Sequence, residues 1–132
     1  DLICRLSDSA YIDYKTKSFH VDNYCFDSKP EKNLFWKLLT DDKIKEVYFT
    51  GMLTHGQSDF YISYVDPVSH TLRSYFPDFL VKNEDSSYTI MEVKADYMID
   101  DAVVKAKQEH AVRLAAASGM SYQMIKASEV GR

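Results

Sequence analysis

The chain has 132 residues, which fits one domain, and its 45% hydrophobic content is enough for a packed core and too much for disorder. No apolar run approaches the roughly 20 residues of a membrane span. No signal peptide is visible, and two cysteines are too few for a disulfide framework. The net charge of −4 argues against a free-standing nucleic-acid binder, because phosphate neutralisation dominates such affinity.

Residues 1–26 alternate short apolar and polar runs: Leu2-Ile3-Cys4, Tyr11-Ile12, Phe19-His20-Val21 and Tyr24-Cys25-Phe26. Two or three short strands are expected, forming an N-terminal β extension that covers a sheet edge. Cys4 and Cys25 sit beside apolar residues and read as reduced, buried thiols, which suits a cytoplasmic protein. A helix is predicted from Ser28, where Ser28-x-x-Glu31 fits a capping box and Pro30 falls in the first turn. Leu34, Phe35, Leu38 and Leu39 form its apolar face, and Thr40-Asp41-Asp42 ends it.

Val47-Tyr48-Phe49 reads as a strand stopping at Gly51, followed by a loop from Met52 to Gln57 that holds His55. Ser58 to Val65 reads as a second strand, with Asp59 placed on the surface, ended by the turn-initiating pair Asp66-Pro67. A hairpin over 73–94 comes next. Asp100 or Asp101 caps a second helix running to about Ser118, with Gly119 just past its end. Its inner stripe is predicted to hold Val103, Val104, Ala111, Leu114, Ala115 and Ser118, with Lys107 and Gln108 on or beside it. Tyr122 to Ala127 make a last strand. The four histidines show no metal-ligand spacing, and no glycine-rich phosphate loop is present.

The hairpin carries charge where strand interiors do not. Tyr75 to Val81 and Tyr88 to Lys94 are apolar runs around the polar break Asn83-Glu84-Asp85-Ser86-Ser87, yet they contain Asp78, Glu92 and Lys94. Glu92 and Lys94 share a face with Ile90 and Tyr88 by the strand alternation. If Lys82 and Tyr88 are the last pair before the loop, paired numbers sum to about 170, which sets Asp78 opposite Glu92. Opposed residues have Cα atoms roughly 4.5–5.5 Å apart. Two carboxylates that close repel unless a proton or a cation lies between them. A hard divalent cation such as Mg²⁺ takes such oxygens, and the nearby ammonium of Lys94 suggests an anionic substrate.

Pro77-Asp78, thirteen intervening residues and Glu92-Val93-Lys94 resemble the PD-(D/E)XK nuclease signature. The wider run resembles the C-terminal endonuclease domain of type III restriction subunits. It passes from Lys29-Pro30-Glu31 through Gly51-Met52, Ser58-Asp59-Phe60-Tyr61 and Arg73-Ser74-Tyr75 to Met98-Ile99-Asp100-Asp101. The likeness covers about residues 27–128, leaving 1–26 as the extension. The implied fold is the restriction-endonuclease-like α-β-β-β-α-β core, an α/β mixed sheet flanked by helices with one extra hairpin.

What the resemblance implies about chemistry is specific. Asp78 and Glu92 would bind Mg²⁺, with Mn²⁺ as a substitute, and the Val93 carbonyl and Glu31 would add to the metal shell. Lys94 would orient the attacking water and offset transition-state charge, and Lys107 or Gln108 would supply a polar helper from the second helix. For Glu31 the competing reading is the capping bond alone, and the two readings are taken as exclusive. The implied partners are DNA, a helicase or translocase region on the same longer chain, and a specificity subunit, with two copies or two events for double-strand cleavage, a dimer being one route, and no membrane. The alternatives are a catalytically inactive nucleic-acid-binding or assembly module of the same fold, and a transposase-like or junction-resolving nuclease.

Overall fold

The computed structural model describes residues 3–5, 17, 23–26, 28–49, 62–75 and 77–130. The expectations for Tyr11-Ile12, Phe19-His20-Val21, the strand end at Gly51, the 52–57 loop with His55, and 58–61 with Asp59 lie outside these residues. So do the side chains of Cys4 and Cys25.

Two short strands, β1 (Ile3–Arg5) and β2 (Asn23–Cys25), pair antiparallel with each other. Helix α1 (Lys29–Thr40) starts where Ser28, in extended conformation, accepts the Glu31 N–H on its Oγ. Pro30 sits in the first turn, where its missing N–H costs nothing. Then follow β3 (Ile44–Phe49), β4 (Ile62–Val65), β5 (Leu72–Tyr75), β6 (Phe79–Asn83) and β7 (Tyr88–Lys94). A single 3₁₀ turn at Asp96–Met98 leads to α2 (Ala102–Ala117), whose first two free N–H groups, of Val103 and Val104, bond to Asp101. Helix α2 ends in a Schellman arrangement: Gly119 N–H reaches Ala116 C=O, Met120 N–H reaches Ala115 C=O, and Gly119 takes φ +71°. Strand β8 (Ser121–Lys126) and a final turn of helix, α3 (Ala127–Val130), complete the described chain.

The main sheet has the order β3-β6-β7-β8. Its first three strands run antiparallel to their neighbours, and β8 lies parallel to β7. A parallel neighbour requires a crossover, which α2 provides. Removing β4 and β5 leaves α-β-β-β-α-β around a mixed sheet, the expected class. Between β6 and β7 the pairs run from Phe79↔Met91 to Lys82↔Tyr88, so the predicted register holds throughout the ladder.

Each face of the sheet has its own core. On one, Leu34, Phe35, Leu38 and Leu39 of α1 pack with Phe26, Val47, Phe49, Phe79 and Val81, joined by Met91 and Val93. The phenylalanines interlock at ring separations such as 4.6 Å for Phe26–Phe49 and 5.1 Å for Phe49–Phe79. On the other, Ala111 and Ala115 of α2 meet Ile90, Leu80 and Tyr122 of the sheet and Ile62, Tyr64 and Tyr75 of β4–β5. Alternation along β7 therefore places Glu92, in phase with Ile90, on the α2 side. The Lys17 carbonyl accepts the N–H of Val47 on edge strand β3.

Four expectations need correction. The run from Arg73 into the hairpin is not one strand. Its first part, β5, pairs with β4 in a separate two-stranded sheet, and only Phe79 onward joins β7. Pro77 lies at the break, where its lack of an N–H interrupts a ladder. Strand β3 begins earlier than predicted, at Ile44. Leu114 is 40% exposed and Ser118 is exposed, because α2 buries a narrow stripe through Val104, Ala111 and Ala115. Small alanines let the helix approach the β-layer there, and Leu114 is turned about 100° from Ala115. The capping box is incomplete in its expected form: the return bond runs from Ser28 Oγ to Glu31 Oε2, 3.1 Å, not from the Ser28 N–H.

Candidate functional site

The charged residues gather at the end of the β6–β7 hairpin opposite its loop. Asp78 stands in a bend one step before β6, so extending the Phe79↔Met91 pairing by one places it across from Glu92. Its side chain acts at the strand end as a peptide group would: Asp78 Oδ2 accepts the Val93 N–H at 2.9 Å. The Asp78 carboxyl also lies against those of Glu92 and Glu31 and feels both. The side chains of Asp78 and Glu92 thus meet on one side of the sheet's end.

Glu92 is 4% exposed and Glu31 6% exposed, although both are acids. Glu92 divides its two oxygens between partners. Oε2 accepts the Tyr75 hydroxyl at 2.5 Å, and Oε1 faces the Lys94 ammonium at 3.6 Å. The Tyr75 hydroxyl also meets that of Tyr122 at 2.9 Å. From α2, Lys107 reaches over two rings, 5.4 Å from the centre of Tyr75 and 5.6 Å from that of Tyr64. Gln108 is half-buried beside it and bonds to none of these groups among the described residues.

Burial dominates the electrostatics. It pushes the Asp78 carboxyl up to about 7, with the Glu92 charge adding to the rise and the Val93 N–H opposing it. Burial also raises Glu92, opposed by the Tyr75 hydroxyl and the Lys94 charge. The two acids face each other and titrate as a pair, each held above the usual carboxylate range first by burial. Lys107 is held below its usual value, first by burial and then by Lys94. Burial, the Glu92 charge and the bonds to Glu92 and Tyr122 push the Tyr75 phenol far up, so it is a permanent donor.

The structure thus brings together Asp78, Glu92, Lys94, Glu31 and Lys107, with Val93 contributing its N–H. Glu31 makes two contacts at once: one oxygen takes the Ser28 hydroxyl while the carboxyl lies against Asp78, so the cap does not keep it from the acid pair. Tyr75 and Tyr122 were not singled out from the sequence. Tyr75 stands three residues before Asp78, but its hydroxyl becomes relevant only because β5 leaves the hairpin and lies over β7. Tyr122 comes beside Glu92 through the parallel β8, which no local pattern announces. His110 bonds to the Ala106 carbonyl and takes no part.

Among the described residues, no three His, Cys, Asp or Glu side chains stand arranged around a common point where a metal ion would sit. The donor set nonetheless suits a hard divalent cation: buried carboxyl groups face one another, and a cation would neutralise charges that otherwise repel.

A mixed α-β-β-β-α-β sheet with buried acids and a lysine at the end of its central strands defines a protein of the restriction-endonuclease-like class. The family model described as TnsA-like endonuclease N terminal matches residues 53–127, more than half of the chain. The chain belongs to that family, a member of the restriction-endonuclease-like superfamily. No curated protein matches the chain. No helix among the described residues is long and apolar enough to cross a membrane.

Proposed function

We propose that the domain is a Mg²⁺-dependent endonuclease that hydrolyses DNA phosphodiester bonds, with Mn²⁺ as a substitute. The observation that supports this most is the buried Asp78–Glu92 pair with the Lys94 ammonium 3.6 Å from Glu92. Buried acids cost stability and serve no packing purpose, which favours catalysis over an inactive binding or assembly module. Asp78 and Glu92 would hold the metal, with Glu31 and the Val93 carbonyl completing the shell. When bound, the ion supplies charge stabilisation to the phosphoryl oxygens and lowers the pKa of a coordinated water.

The chain's own residues do the rest. Lys94 holds the attacking water in line and offsets negative charge growing on the phosphoryl oxygens. Lys107, its ammonium already partly stripped of water between two tyrosine rings, binds a phosphate oxygen next to the scissile bond. Ser28 fixes the rotamer of Glu31 so that α1 presents it to Asp78. Gln108 is the weaker helper, lacking any bond to the acids among the described residues.

DNA is the partner proposed for this chemistry. The −4 charge means that other regions supply most of the grip: a helicase or translocase region of a longer chain and a specificity subunit in a restriction-type enzyme. One centre cuts one strand, so a double-strand break uses two copies or two events. A cytoplasmic setting suits reduced cysteines. The restriction-type setting rests on the sequence resemblance. The family matched is TnsA-like, which favours the transposase-like alternative weighed from the sequence as the home of this domain. The test is nicking of supercoiled plasmid by the protein in Mg²⁺, in Mn²⁺ and with chelator, beside the Asp78→Asn variant. Metal-dependent nicking lost in the variant is expected. Equal nicking by the variant, or none by the wild type under any metal, overturns the proposal.

A further inference from the structure

Glu92 has two oxygens, and the fold commits one of them. Oε2 is bonded to the Tyr75 hydroxyl at 2.5 Å, deep in the α2-side core, while Oε1 faces Lys94 at 3.6 Å. Tyr75 is itself 4% exposed and braced at its hydroxyl by Tyr122, 2.9 Å away, and at its ring by the Lys107 ammonium. A phenol held at both ends cannot swing away when Glu92 changes partner. Tyr75 belongs to β5 and Tyr122 to β8, so two elements outside the β6–β7 hairpin aim one side chain of it.

From this we propose that Tyr75 is the positioning residue of the metal site: it occupies Glu92 Oε2 and so presents Oε1 alone, as a one-oxygen ligand, to a divalent cation shared with Asp78. The inference rests on the nuclease reading above and deepens it. A carboxylate free to turn would take a cation through both oxygens. Ligands fixed by an outer hydrogen-bond partner bind more tightly, because the ordering cost is already met in the fold. Asp78 is treated alike, with its Oδ2 committed to the Val93 N–H at 2.9 Å. The pair would then offer one oxygen each, which leaves the rest of the shell to Glu31, the Val93 carbonyl, water and phosphate.

The experiment is calorimetric titration of Mn²⁺ into the protein without DNA, for wild type, Tyr75→Phe, Tyr122→Phe and Asp78→Asn, followed by nicking rates over a range of Mn²⁺. Circular dichroism first confirms that each variant is folded. Tyr75→Phe keeps the ring beneath Lys107 and removes only the hydroxyl. Its Mn²⁺ affinity should fall by about tenfold, the lower end of what loss of an outer-shell partner costs. Its nicking curve should move to higher Mn²⁺ by the same factor and recover most of the wild-type rate at saturation, which a general packing defect would not do. Tyr122→Phe leaves the Tyr75–Glu92 bond in place and should weaken Mn²⁺ less than Tyr75→Phe does. Wild-type Mn²⁺ affinity in Tyr75→Phe, or a lowered rate that saturating Mn²⁺ does not restore, overturns the positioning role while leaving the nuclease reading intact. Mn²⁺ affinity unchanged in Asp78→Asn overturns both.

Discussion

The two ends of the β6–β7 hairpin treat the same side chain in opposite ways. At the loop, Asp85 Oδ1 accepts the Ser87 N–H at 2.9 Å and the Ser87 hydroxyl at 2.5 Å. At the open end, Asp78 Oδ2 accepts the Val93 N–H at the same 2.9 Å. Yet the bonds hold Asp85 below the usual carboxylate range, while Asp78 is pushed up to about 7. The difference is surroundings. Asp85 stands in water, where hydrogen bonds decide the shift; Asp78 is enclosed and faces Glu92, and desolvation overrides its backbone bond. A hydrogen bond alone therefore does not say whether an acid is structural. A shallow depression lies at the loop end, lined by Lys43, Asn83, Glu84, Asp85 and Ser87, but the side chains there are solvated and relaxed. The strained acids are at the other end, and that is where chemistry is expected.

The largest test of this contrast is Asp78→Asn. The amide oxygen still accepts the Val93 N–H, so the strand end survives. Cleavage should fall on the order of 10²–10³-fold or more, the scale of losing one charge partner at a reacting centre. Without metal the melting temperature should hold or rise, since a carboxyl facing Glu92 has been neutralised. Clear destabilisation with cleavage intact would make Asp78 a structural residue like Asp85.

Lys94→Ala comes next. It should lower cleavage about 10²-fold, as loss of a proton-handling or charge-offsetting group does. Metal affinity should survive or tighten, because a cation 3.6 Å from Glu92 is gone. If instead Mn²⁺ binding is lost together with folding, Lys94 and Glu92 are a stabilising ion pair, and the site reading fails.

Much of this geometry could be read in advance, and the failures have a common cause. The β6–β7 register followed from the polar loop because a hairpin counts outward from its turn, and both helix starts followed from Ser28 and Asp101 acting on local N–H groups. These are short-range effects. The break at Pro77 was hidden because residues on either side are equally apolar; which sheet each half joins is decided by what packs on it, α2 or α1. Leu114 was misplaced for a similar reason, since the width of a buried stripe depends on how closely the partner layer approaches. Tyr75 and Tyr122 meet over a separation of 47 residues, and a phenol in a tyrosine-rich strand carries no mark of its partner. Glu31 shows that one side chain can join a cap and an acid cluster when it has two oxygens.

A third test uses pH. Asp78 rises from 3.8 to about 7 on folding without metal, so between those values the folded state binds more protons than the unfolded. Stability must then fall as pH rises through that window. Glu92, also raised, adds in the same direction. Melting temperatures of the metal-free protein should decline between about pH 4 and pH 7, and less steeply in Asp78→Asn. Saturating Mg²⁺ should remove the decline, because ionised acids are then the bound form and metal affinity rises with pH. A wild-type profile that parallels the variant's would show that Asp78 is ionised at ordinary cost, and the contrast between the hairpin ends would collapse.

The smallest effect is expected at the loop, from Asp85→Asn. The amide oxygen keeps both Ser87 bonds, and the turn is also closed by Asn83 N–H to Ser87 C=O, 2.7 Å, and Ser86 N–H to Asn83 C=O, 2.9 Å. Ser86 already takes φ +71°, so the turn's backbone shape does not depend on the charge. What the substitution removes is the preference of those donors for an ionised acceptor. Because Asp85 is lowered on folding, it contributes stability above its unfolded value that is lost as pH falls through its folded one. That is the reverse of Asp78 and acts on the acid side only. Near neutral pH the melting temperature should drop by roughly a degree or two, as weak surface contributions do. The acid limb of the stability profile should flatten slightly, and nicking in Mg²⁺ should match wild type. A variant that melts normally but nicks poorly would mean that DNA runs past the loop end as well, with Lys43 and the depression beside it as part of the track. The hairpin would then be functional along its whole length, and relaxed electrostatics would no longer separate scaffold from site.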